Sequence, residues 1–183
     1  MKGYLPGTTL ETDWSGPDPL AILDAIFATG GLVLSQVSRL TGLEPHTVQN
    51  WGKRGFCSSP VAKQYSLRQF CRLITINLLK DSLSLPKITE MLSYINNSLA
   101  DESDDAIGDD LLYRYFVMVL IKLNHCATTE EGLSVAIQAT IATYKEPFPG
   151  AAKRLQRVLS IMVTAYFATR LKCKAEQLLN NLD

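Results

Sequence analysis

The stretch LSQVSRLTGLEPHTVQNWGKRG, residues 34–55, decides how this chain is read. Leu34, Val37 and Leu40 recur at helical spacing and give a first short helix, about Ser35 to Leu40, one apolar face. Thr41-Gly42 ends it, because glycine enters the left-handed backbone region that a tight turn requires. Pro45 then suits the first position of a second helix running to Lys53 and stopped by Gly55. Val48 and Trp51 fall on its inner face, which turns His46, Thr47, Gln49, Asn50 and Lys53 outward. The spacing predicts a helix-turn-helix whose second helix offers polar side chains of the kinds that reach base edges and phosphates.

Downstream, Ser58-Ser59-Pro60 disfavours helix and reads as an extended loop or small hairpin. Ser66 and Gln69 have the spacing of a capping box, in which each side chain satisfies a free backbone N–H, and open a helix to about Asp81. A further helix follows Ser84 and runs through Leu92. Upstream, residues 1–17 hold turn formers without a period and are expected to be loosely structured. Asp18-Pro19 starts a short packing helix carrying Leu20, Ile22, Leu23, Ile26 and Phe27 up to Gly30-Gly31.

Charge separates these regions. The 183 residues carry 18 Lys and Arg against 18 Asp and Glu. Residues 34–92 nevertheless hold eight bases against three acids, so a neutral total conceals a basic module. Ala100 to Asp110 has six carboxylates and no base, which reads as a solvated linker at a domain boundary. Beyond it, residues 111–123 are apolar nearly all round and predict a buried helix. Thr128 to Glu131 is a second capping box, opening a helix to about Lys145. A long helix from Ala151 to Asn180 has Leu155, Val158, Leu159, Met162, Ala165, Tyr166, Leu171 and Leu178 as its expected buried stripe. The expected organisation is an arm and short helix at 1–33, a DNA-binding unit at 34–99, an acidic linker at 100–110 and a helical unit at 111–183.

Taken in order, the turn and helix in LTGLEPHTVQNW, then KRGF, a Pro-containing loop ending at Tyr65, YSLRQF and LSLPKITEML resemble the winged helix-turn-helix of MerR-family bacterial transcription regulators. TVQNW, Pro60, KQYS and INLLKDSLSLPKI are more closely similar to an uncharacterised bacterial group called domain of unknown function 1836. The resemblance covers about a third of the chain and implies a mainly α fold: an N-terminal MerR-like winged helix-turn-helix domain followed by an all-α C-terminal domain. It implies double-stranded DNA as partner, with Thr47, Gln49 and Asn50 as recognition-helix contacts, Lys53 and Arg54 at that helix's C-terminal end and Lys63 in the wing. His46 joins them by its outward position. MerR regulators usually carry Arg where Gln49 and Ser66 stand, which implies weaker phosphate attraction or readout of different bases. Their long dimerising helix is replaced here by several shorter segments.

Other functions find less support in the residues. The longest apolar run, Phe116 to Ile121, is far shorter than the ~20 residues of a membrane span. The opening residues lack a secretory leader, so a cytoplasmic location is expected. Cys57, Cys71, Cys126 and Cys173 are irregularly spaced, as reduced thiols are, and neither a metal nor a cofactor is expected. Cys57 follows Lys53-Arg54, whose charge could lower its pKa, although a filler role fits better. No phosphate loop or nucleophile elbow is present and no enzyme is expected. The reading is a sequence-specific transcription regulator acting as a homodimer, with a small-molecule effector left open; the alternative is a protein-interaction adaptor that keeps a winged fold without binding DNA.

Overall fold

Leu67 to Leu79, the helix behind the capping box of Ser66 and Gln69, is the axle of the molecule. The Gln69 N–H donates to Ser66 Oγ at 3.2 Å, and the Ser66 N–H donates to Gln69 Oε1 at 2.9 Å. From Phe70 onward nearly every residue is buried, because neighbours surround the helix on all sides. The computed structural model describes residues 2–96 and 105–182.

The elements in chain order are β1 (Lys2–Tyr4), β2 (Glu11–Asp13), α1 (Ala21–Phe27), β3 (Leu32–Val33), α2 (Leu34–Thr41), α3 (Pro45–Lys53), β4 (Gln64–Tyr65), α4 (Leu67–Leu79), α5 (Leu85–Asn96), α6 (Asp109–Lys122), α7 (Glu130–Ile141) and α8 (Ala151–Leu179). The fold is mainly α. β1 and β2 form an antiparallel hairpin with Lys2 opposite Asp13, and β3 pairs antiparallel with β4, Leu32 opposite Tyr65. α4 packs against α2, α5, α6 and α8, and α6 packs against α7 and α8. One apolar core runs continuously from Val37 and Trp51, through Leu73 and Ile76, to Val117, Leu120 and Leu159.

The structure corrects several expectations. Residues 2–13 are an ordered hairpin rather than a loose arm, with Leu5 and Leu10 buried. Tyr113 donates its hydroxyl to the Pro6 carbonyl at 2.8 Å, and Asn77 donates to the carbonyls of Gly7 and Thr41, each at 2.9 Å. Gly7 has φ +76, and a Cβ there would lie 2.4 Å from the Ile74 carbonyl oxygen. Its turn chemistry therefore serves a close approach to α4. The helix expected at Asp18-Pro19 begins at Ala21, while Asp18 Oδ1 accepts from the Leu20 N–H at 2.9 Å in the preceding turn. Thr129, rather than Thr128, caps α7, accepting from the Gly132 N–H at 3.1 Å.

The acidic stretch also differs from the expected solvated linker. Residues 100–104 lie outside the described residues, but Asp105 and Asp109 turn inward. Asp109 opens α6 with its side chain 6% exposed, against Arg72 at 4%. Arg72 Nη1 donates to Asp109 Oδ1 at 3.3 Å, and its Nε donates to the Phe56 carbonyl at 2.8 Å. Arg68 pairs with Asp105 and lies 4.0 Å from Asp109. Burial pushes the Asp109 carboxyl above its ordinary value, and Arg72 and Arg68 draw it back. These carboxylates are neutralised by bases distant in sequence, which local composition does not reveal.

α8 outruns its neighbours. Its 29 residues extend about 44 Å, whereas α4 and α6 have 13 and 14 residues and extend only about 20 Å. Leu155, Val158, Leu159, Met162 and Ala165 are buried as expected, but Leu171 and Leu178 are 64% and 56% exposed. From Arg170 to Leu182 every residue is exposed, so among the described residues the stripe has no cover there.

Removing one member of a buried ion pair strands the other charge. Arg72→Met is expected to cost about 3–5 kcal/mol in urea unfolding, and Arg72→Met with Asp109→Leu to recover most of it. Equal stability of the two variants would show that the pair does not hold α4 to α6.

Candidate nucleic-acid interface

The turn between α2 and α3 is built from short side-chain bonds. Thr41 Oγ1 donates to the Val37 carbonyl at 2.8 Å and accepts from the Leu43 N–H at 3.2 Å. Gly42 adopts φ +70, and its N–H caps α2 on the Ser38 carbonyl at 2.9 Å. The first hairpin buttresses this corner: the Thr9 N–H donates to the Leu40 carbonyl at 2.9 Å, and its hydroxyl to the Arg39 carbonyl at 2.8 Å. The corner sets how α3 leaves the body.

α3 buries Val48 and Trp51. His46, Gln49, Asn50 and Lys53 are exposed and share the opposite face, as their spacing of three, four and seven requires. Thr47 is half-buried on the flank. Arg54, just past the helix, is exposed but lies over the Phe56 ring, its guanidinium carbon 4.7 Å from the centroid. The seven expected residues are thus split between four facing out from α3, one on its flank, one stacked at its end and one across a groove.

The seventh is Lys63. Val61 and Gln64 exchange backbone hydrogen bonds of 3.1 and 2.9 Å around a two-residue turn of Ala62 and Lys63. Both turn residues have positive φ, 49° and 63°, in a setting where Asn-Gly is usual. Left-handed backbone costs an ordinary L-residue about 1–2 kcal/mol. The chain accepts this strain at an exposed position carrying a cation.

Between α3 and this hairpin runs a groove of about 650 Å³. Gln49, Gly52 and Lys53 border it on the helix side, Ser58, Ser59 and Lys63 on the hairpin side. Gln69 holds the far wall, because its Nε2 donates to Ser58 Oγ at 3.0 Å and to the Ser59 carbonyl at 2.8 Å while its Oε1 caps α4. The same side chain therefore starts a helix and fixes the loop. Arg72 anchors the loop's first residue through the Phe56 carbonyl. Sequence reading treats Ser58, Ser59 and Pro60 only as loop formers; the sole hint of their place was the hydroxyl pair itself, preceding Lys63.

The basic surface is smaller than a residue count implies. Arg68 and Arg72 are paired with Asp105 and Asp109, which lie outside residues 34–92, so the local excess of five falls to three. Cys57 borders the groove but is buried, and desolvation pushes its thiol up to about 12, outweighing the opposing effect of Arg72. Proximity to Lys53 and Arg54 does not activate it. Burial likewise raises the Cys71 thiol, whereas Cys126 and Cys173 are exposed.

Two measurements follow from this geometry. An aromatic disulfide reagent near neutral pH should titrate two thiols, Cys126 and Cys173, in the folded protein and all four in denaturant; rapid reaction of Cys57 would contradict its burial. Lys63→Gly should raise stability by about 1 kcal/mol in chemical unfolding, by relieving the left-handed residue. Destabilisation would mean that Lys63 makes native contacts beyond the turn.

Comparison with known proteins adds kinship without an activity. No solved structure matches. Uncharacterized protein YkrK of Bacillus subtilis (strain 168) is 29% identical over 96 residues, covering 50% of this chain and 41% of that protein. The chain thus matches less than half of that relative's length. The family described as Domain of unknown function (DUF1836) matches residues 22–116, from α1 into α6 and hence both the α2–α3 corner and the Arg72–Asp109 pair; the chain belongs to this family.

Proposed function

We propose that this protein is a sequence-specific transcription regulator that binds double-stranded DNA through a MerR-like winged helix-turn-helix, with α3 as recognition helix and the 61–64 hairpin as wing. The observation that carries the reading is the pairing of an exposed polar face, His46, Gln49, Asn50 and Lys53, with Lys63 across the groove. α3 has nine residues and is about 13 Å long, against a major groove about 12 Å wide. Gln49 and Asn50 have the amide geometry that pairs with adenine, and His46 and Thr47 lie at the helix's N-terminal end, where base contacts concentrate. Lys53, Arg54 and Lys63 hold phosphates on either side. One short helix reads few bases, so two copies bind successive major grooves about 34 Å apart. The chain acts in the cytoplasm, without catalysis.

Arg68 and Arg72, spent on internal pairing, favour one second reading: an adaptor with this fold that binds protein rather than DNA. Stoichiometric capture of one protein without any duplex shift at low salt would support it.

Replacing Lys53 and Arg54 by Ala should weaken binding to all duplexes and flatten log Kd against log salt by roughly two units. Replacing Gln49 and Asn50 by Ala should instead erase the preference among sequences in competition footprinting while leaving weak general binding. An unchanged salt slope in the first variant would defeat the DNA-binding reading.

A further inference from the structure

The turn of the first hairpin, the α2–α3 corner, the end of α4 and residues 166–170 of α8 border an open cavity of about 340 Å³, away from the proposed DNA contacts. A space of this size suits a small molecule. Part of its wall can only accept hydrogen bonds. The Nδ2 of Asn77 is spent on the carbonyls of Gly7 and Thr41, which fixes the amide and leaves Oδ1 with no hydrogen bond among the described residues. Ser82 Oγ gives its proton to the Ala165 carbonyl at 2.7 Å, so Thr169 is the donor in its contact with Ser82 and keeps only lone pairs for the cavity. Asp81 adds a carboxylate.

The same cavity holds a set of donors. Arg170 Nη1 donates to the Tyr166 hydroxyl at 3.0 Å, and its guanidinium carbon lies 5.6 Å from the centre of that ring. Phe116 and Phe167 hold the ring in turn, at centroid distances of 5.7 and 5.3 Å. Because the phenol oxygen accepts from Arg170, its own proton is left to donate. Lys80, exposed at the end of α4, supplies an ammonium. Among the described residues, Lys80, Asp81 and Arg170 make no ion pair. The Arg170 charge is felt instead by His125, whose imidazole is held below its ordinary value first by burial and then by Arg170.

Donors and acceptors gathered in one small cavity are complementary to a zwitterion. A carboxylate takes the protons of Arg170, Tyr166 and Lys80. An ammonium, which has three N–H groups and no lone pair, gives them to Asn77 Oδ1, Asp81 and Thr169 Oγ1. A phosphate dianion would satisfy only the donors and would meet the like charge of Asp81. We propose that this cavity binds a free amino acid, held by its α-carboxylate and its α-ammonium group. The bound amino acid faces Thr41 and Gly42 on one side and α8 on the other, so it ties α8 to the corner that sets how α3 leaves the body. This rests on the cavity alone and stands whether or not α3 binds DNA.

The test titrates the full chain by calorimetry with each common L-amino acid in turn, up to about 10 mM. At least one should bind saturably and raise the melting temperature with the logarithm of its concentration. The matching amino-acid amide, which lacks the carboxylate, and the matching α-hydroxy acid, which lacks the ammonium, should each bind at least about tenfold more weakly. Arg170→Gln and Asp81→Asn should each weaken binding by about the same factor. Both side chains are exposed, so the melting temperature without ligand should be retained. Arg157→Gln, which changes an exposed base elsewhere on α8, should leave the affinity as it is. Absence of saturable heat from every amino acid at about 10 mM, equal affinity for the amide or for inorganic phosphate, or binding untouched by both cavity variants would overturn the proposal.

Discussion

The buried Arg72–Asp109 pair is the constraint on which the arrangement depends. Arg72 comes from α4, Asp109 from the first turn of α6, and the Arg72 Nε holds the carbonyl of Phe56, where the chain leaves α3. Three segments distant in sequence thus meet at one guanidinium. A fully buried charge pair contributes little net stability but is costly to break, so it selects this arrangement against alternatives more than it strengthens it. The angle between the α2–α3 corner and the α4–α6 pair is tied to that point.

The groove face is organised from the same place. Gln69, three residues before Arg72 on α4, fixes Ser58 and Ser59, and Arg72 fixes Phe56; between them they hold the loop that presents Lys63. The two turn residues, Ala62 and Lys63, can remain in left-handed backbone because the surrounding loop is anchored at both ends. Electrostatics then has a division of labour. Arg68 and Arg72 serve the interior, and Lys53, Arg54 and Lys63 remain at the surface.

α8 is divided between the core and solvent. Its first half is held by α4, α5, α6 and α7, whereas residues 170–182 are exposed.

Periodicity and capping chemistry made much of the fold legible in the sequence. The bounds of α3, the Ser66–Gln69 box and the inward face of Val48 and Trp51 depend only on neighbours within a few residues, and so did the outward direction of His46, Gln49, Asn50 and Lys53. What tertiary structure alone decided were matters of long-range partnership: that Leu5 and Leu10 fill the core, that Asp105 and Asp109 neutralise Arg68 and Arg72, and that Leu171 and Leu178 lie exposed. An apolar or charged residue looks the same in sequence whether its partner is near, far or absent, because burial and pairing are properties of the space around a side chain and not of the order in which side chains are joined.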